Sequence, residues 1–300
     1  PGCPVCVTSA GDVDRALWLA GQEGLIFTTF GDMLRVPGTG GMSLQRLRAA
    51  GADVRIVSSA LDCLEMAERE GRREVVFMGI GFETTAPTIA AMVRSARSRG
   101  LANLSVFSVH KIVPPALNLL LADPLINLDG FLCPGHVSIM LGSVAYRFIP
   151  EAGKAAVITG FEPVDVLEGI LMILEQVERG RPEVAIQYRR AVRAEGNPRA
   201  MAVLDEVFTA GDAEWRGLGT IPASGLFFRP EYDSVDARGR FAIPAIASAD
   251  IPGCSCGEIL RGLREPAQCP LFRRTCTPAN PVGPCMVSSE GTCSAHYRYG

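Results

Sequence analysis

Short apolar runs alternate along this chain with longer stretches in which apolar residues return every three or four positions. Runs of four to eight apolar residues bounded by turn formers predict strands, and the 3.6-residue recurrence predicts amphipathic helices. LIFTTF (25–30), VRIVSS (54–59), EVVFMG from 74, residues 104–109, residues 128–133 and AAVITGF (155–161) read as strands. Helical patterns lie between them. They start at Asp12 (DVDRALWLAGQEG), cover 43–51 and 61–71, follow the GFETT loop, open on Pro114-Pro115, and run through VDVLEGILMILEQVERG (164–180). Gly51 and Gly71 close two of them, as expected of the residue that most easily turns left-handed at a helix end. Such alternation builds parallel sheets covered by helices, so the fold class is α/β. From about 183 the chain reads as helical (EVAIQYRRAVRAEGNPRAMAVLDEVF), and 215–237 as an irregular bridge rich in Gly and Pro. The predicted division is 1–73 for a first α/β domain, 74–180 for a second, and 181–300 for a helical bridge and a cysteine-rich end.

That end, from Cys254 to Cys293, has no sustained hydrophobic period and holds six of the ten cysteines: Cys254, Cys256, Cys269, Cys276, Cys285 and Cys293. A segment without its own periodic apolar face calls for a cross-link or a metal. Structural zinc favours paired C-x2-C knuckles, which are missing here. Structural disulfides suit small secreted domains rather than a 300-residue α/β chain. An iron–sulfur cluster takes four thiolates and tolerates wide spacing. Two cysteines are then left for one redox dithiol, so cluster plus dithiol fits the arithmetic best. Counting does not choose the four: Cys254 gives C-x14-C-x6-C-x16-C, and Cys256 in its place gives C-x12-C-x6-C-x16-C. The CSC triplet is similar to that of ferredoxin:thioredoxin reductase, where cluster ligands alternate with redox cysteines.

Composition narrows the picture further. The hydrophobic share of 48% and charged share of 20% describe a globular chain with ample core. A net charge of −3 gives no basic field for nucleic acid. No apolar run reaches the roughly 18 residues of a membrane span. Clustered cysteines without a secretory signal point to metal or redox chemistry in the cytoplasm. The sequence opens on Pro1-Gly2-Cys3 rather than Met, which leaves room for a segment upstream.

Candidate chemistry outside the C-terminal end gathers where strands finish. PGCPVC places Cys3 and Cys6 in a C-x2-C just before a helix, whose N-terminus lowers thiol pKa; the pair could also chelate a soft metal. PGTGG (37–41) lacks the Lys-Ser/Thr of a P-loop and reads as a turn. GIGFETT puts Glu83 where a phosphate would sit, which excludes a dinucleotide site. Glu83, Thr84 and Thr85 offer oxygens at a strand's C-terminal edge, with helix capping as the plain alternative for the threonines. Lys111 and His136 follow later strands and are expected at the same edge as Glu83, as proton donors or acceptors.

PGCPVC, GFETT, PGHVS, CSCGEILRG, CPLF and CMVSSEGTC together resemble the HypD family of hydrogenase maturation proteins, in order and spacing and over nearly the whole chain. The resemblance implies two related Rossmann-like α/β domains facing across a cleft, and a C-terminal domain holding a [4Fe–4S] cluster. It implies a scaffold on which the Fe(CN)2CO unit of [NiFe]-hydrogenase is assembled, with the small chaperone HypC and with HypE as cyanide donor. It assigns Cys3 and Cys6 to redox work or iron attachment, and His136 to the cleft. Cys254, Cys269, Cys276 and Cys293 become the cluster ligands, and Cys256 with Cys285 the dithiol. The family also carries a CGTHEH-like motif upstream of PGCPVC, supplying a further iron-site cysteine and a first strand. A different class, a disulfide reductase like ferredoxin:thioredoxin reductase, would explain both dithiols without iron in the cleft; a purely structural zinc protein is a third.

Overall fold

The computed structural model describes residues 3–125 and 127–300. Its first unit runs α1 (Pro4–Val7), α2 (Ala10–Ala20), β1 (Leu25–Thr29), α3 (Leu44–Ala49), β2 (Val54–Ile56), α4 (Asp62–Glu70), β3 (Glu74–Gly79), α5 (Ala86–Ser98), β4 (Leu104–Ser108) and α6 (Val113–Ala122). The four strands form one parallel sheet in the order β2-β1-β3-β4. All five residues of β1 and of β4 are buried, as a parallel sheet covered on both faces requires. The second unit holds β5 (Gly130–Pro134), α7 (Gly135–Leu141), α8 (Phe148–Glu151), β6 (Ala155–Thr159), α9 (Pro163–Arg179) and β7 (Val184–Ile186), with a parallel sheet β5-β6-β7.

The strand–helix reading therefore stands as α/β with parallel sheets, while its boundaries change. The division expected at 73/74 cuts through a sheet, because β3 pairs with β1 on one side and β4 on the other. The second sheet starts only at Gly130. The helix expected from 183 is mostly not one: Val184 and Ile186 alternate in an edge strand, and the helix begins at α10 (Pro198–Val207). Pro198 presets the first turn there and the Asn197 side chain accepts from Ala200 N–H. The bridge expected to be irregular is an antiparallel hairpin, β8 (Phe208–Trp215) and β9 (Gly219–Phe228). Its Gly and Pro content misled because the ladder absorbs a register shift between Gly211 and Ala213 and a positive φ of 50° at Ala223. After α11 (Ala237–Arg240) the cysteine-rich end adds α12 (Cys256–Leu260) and α13 (Thr292–Tyr299) around short 3-10 turns.

This end does not build a core of its own. Cys256, Ile259, Leu260, Phe272, Met286 and Val287 join a single apolar cluster with Val5, Cys6, Val7 and the β1–β3 interior. The hairpin makes the joint. Arg216 N–H donates to Val7 O at 2.9 Å, Thr8 bridges to Trp215, and Ile112 N–H donates to Ser224 O at 2.8 Å. Gly217, at φ 74°, turns the hairpin with its Cα against Gly257: a Cβ there would stand 2.2 Å from Gly257 Cα. In the second unit, α9 shows solvent Val164, Leu167, Leu171 and Leu174, each more than half exposed, opposite its buried Gly169 and Gln176. No helix among the described residues is long and apolar enough to cross a membrane.

The glycine contact yields a direct expectation. Gly257→Ala puts a methyl 2.8 Å from Gly217 Cα, backbone against backbone, where neither side can swing away. Overpacking of this kind costs about 1–3 kcal/mol. Denaturant unfolding should show that loss, while Gly239→Ala, whose Cβ would meet nothing within 4 Å, should leave the midpoint unchanged.

Candidate functional site

The C-x2-C loop is fixed by its own backbone. Cys3 caps α1, Cys6 N–H donates to Cys3 O at 2.9 Å, and Pro4 holds the first helical φ. Ser9 then caps α2 by accepting from Asp12 N–H at 3.0 Å, so that helix begins two residues before the expected Asp12. The turn brings the two sulfurs to 2.8 Å, both buried.

Five thiols follow one another through the joint. Cys6, bonded to Cys3, also lies beside Cys285 in the same apolar cluster. Cys285 Sγ lies 2.8 Å from Cys256 Sγ, and Cys254 lines the same cavity as both. The C-x2-C lies outside the cysteine-rich end in sequence, yet it packs into one apolar cluster with Cys285. The protonation states alternate along this string. Hydrogen bonds from Cys285 and Cys3 hold Cys6 down to about 4, and hydrogen bonds from Cys254 and Cys285 hold Cys256 down to about 5. The thiols that donate them, Cys3, Cys285 and Cys254, are pushed up by that donation and by burial.

Cys254, Cys256, Cys269, Cys276, Cys285 and Cys293 all line one small cavity, closed by Ile259, Phe272 and Met286. Gly283 matters here: a Cβ would stand 2.7 Å from Cys254 Sγ and fill the space. Val282 N–H donates to Cys276 Sγ at 3.4 Å. Burial pushes Cys293 up to about 12 as a thiol. Among the described residues no three His, Cys, Asp or Glu groups close on one point able to hold a single ion.

The remaining predicted residues do not converge at one edge. Glu83 is buried; its Oε1 accepts from Val113 N–H at 2.9 Å and its Oε2 has no partner. Burial pushes it up to about 7. Lys111 is buried against Asp12 (Nζ to Oδ2, 3.2 Å), beside Arg238, so it serves an internal ion pair. His136 is exposed and packs on Phe161 with ring centroids 4.2 Å apart. Thr84 is half-buried, and Thr85 makes no cap: its hydroxyl donates back to Ile80 O and Phe82 O, both at 3.2 Å. Phe82, the residue before Glu83, stacks on Trp215 at 6.2 Å, and both line an apolar cavity of about 280 Å3 with Val7, Val113, Leu132 and Leu260. This cavity is where the two α/β units, the hairpin and α12 meet. Trp215 and Arg216 escaped sequence reading; the R-G-L-G tip, two glycines at alternate positions, is the hairpin signal that could have found them.

Comparison with known proteins agrees over the full length. The model of the family described as "HypD: Hydrogenase formation hypA family" matches residues 1–300. The hydrogenase maturation factor HypD of Rhizobium leguminosarum bv. viciae is 47% identical over 308 residues, taking in all of this chain and 80% of that protein. HypD of Cupriavidus necator is 48% identical over 308 residues, with 100% and 81% covered. HypD of Escherichia coli is 45% identical over 301 residues, with 100% and 80% covered. All three are named for hydrogenase maturation, not for disulfide reduction.

Glu83 gives this site a pH signature. Its folded pKa, about 7, lies above the unfolded carboxyl value, so the folded chain binds the extra proton. Its contribution to stability is full at low pH and is lost as pH rises from about 4.5 to 7. Glu83→Gln keeps the acceptor for Val113 and removes the charge. Thermal scans should find the variant level with wild type at pH 4.5 and more stable at pH 8; parallel curves across that range would contradict the assignment.

Proposed function

The chain belongs to the HypD family of hydrogenase formation proteins, and from that premise we propose that it is the scaffold on which the iron unit carrying cyanide and carbon monoxide is built for [NiFe]-hydrogenase. Its role lies in hydrogenase maturation. The observation that carries the finer reading is that two close sulfur pairs, Cys3–Cys6 and Cys256–Cys285, lie in one buried cluster with the C-terminal cysteines.

Cys254, Cys269, Cys276 and Cys293 are the residues that would hold a [4Fe–4S] cluster. The fit is chemical: four thiols face a dry cavity, a glycine leaves room beside Cys254, and a backbone N–H points at Cys276, as at a ligand sulfur. When bound, the cluster supplies electrons one at a time. Cys256 and Cys285 remain as the dithiol between it and the C-x2-C.

The dithiol can reduce a Cys3–Cys6 disulfide by two-step exchange. The Cys256 thiolate takes the proton of Cys285, 2.8 Å away. Cys285 attacks Cys6, forming a Cys6–Cys285 bond and releasing Cys3 as a thiolate. Cys3, the group that binds a proton more tightly, receives the proton from Cys256. Cys256 then attacks Cys285, closing the Cys256–Cys285 disulfide and releasing Cys6 as a thiolate. Two electrons and one proton have moved from the inner pair to the outer pair. Reduced, Cys3 and Cys6 offer soft donors to low-spin iron as cargo. The apolar cavity beginning at Val7 is a dry neighbour suited to cyanide and carbon monoxide, and Glu83 behind Phe82 can store a proton near neutral pH.

A small chaperone such as HypC and a cyanide donor such as HypE are the partners this role needs, in a cytoplasm that keeps these thiols reduced. The leucine stripe of α9 is the surface we assign to the chaperone, since a contiguous exposed apolar face marks an interaction site.

Three outcomes test this. Cys269→Ala and Cys276→Ala should each fail to retain four irons and four sulfides after anaerobic reconstitution; full content in both would sink the ligand set. Cys3→Ser and Cys6→Ser should keep the cluster's absorption but abolish hydrogenase maturation in a complemented deletion strain, and wild-type maturation in either would show the pair dispensable. Leu167→Glu with Leu171→Glu should abolish co-elution with the small chaperone while the circular dichroism spectrum stays native; undiminished co-elution would move the docking face elsewhere.

A further inference from the structure

Arg216, at the tip of the β8–β9 hairpin, is 4% exposed. Its Nε donates to Thr8 O at 2.9 Å. Nη1 reaches Asp250 only at 3.6 Å, and that carboxylate side chain is 63% exposed. Nη2 is buried with no partner. The guanidinium opens on a small cavity that it shares with Cys254, Cys256 and Gly257.

A guanidinium stays charged at every working pH, so it cannot escape burial by losing a proton. A solvated carboxylate at that distance returns little of the cost of desolvation. The geometry is that of a cation set beside sulfur ligands: the cavity it opens on is shared with the CSC triplet, where it already favours the charged form of Cys256. A four-iron cluster ligated by four thiolates is an anion, and its reduced form carries one more negative charge than its oxidised form.

We propose that Arg216 is the internal counterion of the cluster held by Cys254, Cys269, Cys276 and Cys293, and that it raises the reduction potential of that cluster by favouring the more negative form. The proposal rests on the cluster reading above. Net charge and nearby donors are among the levers that set such potentials. Through Thr8 the same side chain holds the C-x2-C loop, which makes Arg216 a positioning residue for both ends of the thiol string.

The test is a potentiometric titration of the reconstituted protein, followed by electron paramagnetic resonance of the reduced cluster. Arg216→Gln should retain four irons and lower the equilibrium constant for one-electron reduction about tenfold, a shift of about 59 mV to more negative potential. Arg216→Lys, which keeps the charge, should recover most of that shift. If the Gln variant does not fold, Arg216→Met, which keeps the length of the side chain without its charge, is titrated instead and should show the same downward shift. A fully loaded Arg216→Gln or Arg216→Met protein with unchanged potential overturns the proposal. Wild-type protein that takes up no iron and sulfide would instead refute the cluster itself, and the proposal with it.

Discussion

The contact between Gly217 and Gly257 sets how closely the hairpin tip and the start of α12 approach. Any side chain at either position would separate them, and that separation would propagate. Arg216 ties the hairpin to Val7 and Thr8, while Cys256 opens the helix that begins beside Gly257. Sulfur contacts of 2.8 Å on both sides of the Cys6–Cys285 junction need this registry to hold within a fraction of an ångström. A close-packed joint supplies such tolerance because packed interiors respond to even one methylene. The loop and the cysteine-rich end are far apart in sequence, and the hairpin is the part that makes them neighbours.

The charges behind the joint serve the same registry. Asp12, in the first turn of α2, is buried; burial pushes its carboxyl up, yet Lys111 and Arg238 together hold it below the usual carboxylate range. Lys111 lies at the exit of β4 and Arg238 in α11, so one carboxylate ties three elements at the end of the sheet nearest the C-x2-C. Removing either cation would leave a buried carboxylate under-compensated, which is costlier than never having the pair. Lys111 therefore acts on the site through the placement of α2, not through a proton.

The α/β class and most strands were legible because buried parallel strands are apolar along their whole length, as LIFTT shows. What was not legible was pairing. Nothing in residues 74–79 says that they sit beside 25–29 and not in a new sheet, since long-range order is set by packing of the helices between them. The hairpin was missed because Gly217, Gly219, Pro222 and Ala223 are turn formers in a run short enough to look unstructured. At the site, residue type was readable and neighbourhood was not. Glu83, Lys111 and His136 each follow a strand, but they belong to different sheets or turn to different partners. Cys63 and Cys133, by contrast, give no sign of function: burial pushes them up to about 11 and about 12, as inert core thiols.

The CSC triplet shows why local geometry decides between residues that counting treats alike. In an extended strand, residues two apart face the same way, so Cys254 and Cys256 would compete for one role. The chain is not extended there. Ser255, at φ −87° and ψ 20°, turns it into α12, and Cys256 becomes the first residue of the helix. A helical turn rotates neighbouring side chains by about 100° per residue, so the two sulfurs take different positions in the one cavity they both line. Cys256 swings to Cys285, inside the apolar joint and next to Cys6. Cys254 stays outside the helix, less buried, over the gap left by Gly283. One turn of backbone thus separates a sulfur with room beside it from a sulfur already paired, and the proposal that gives the first to iron and the second to exchange draws on that difference.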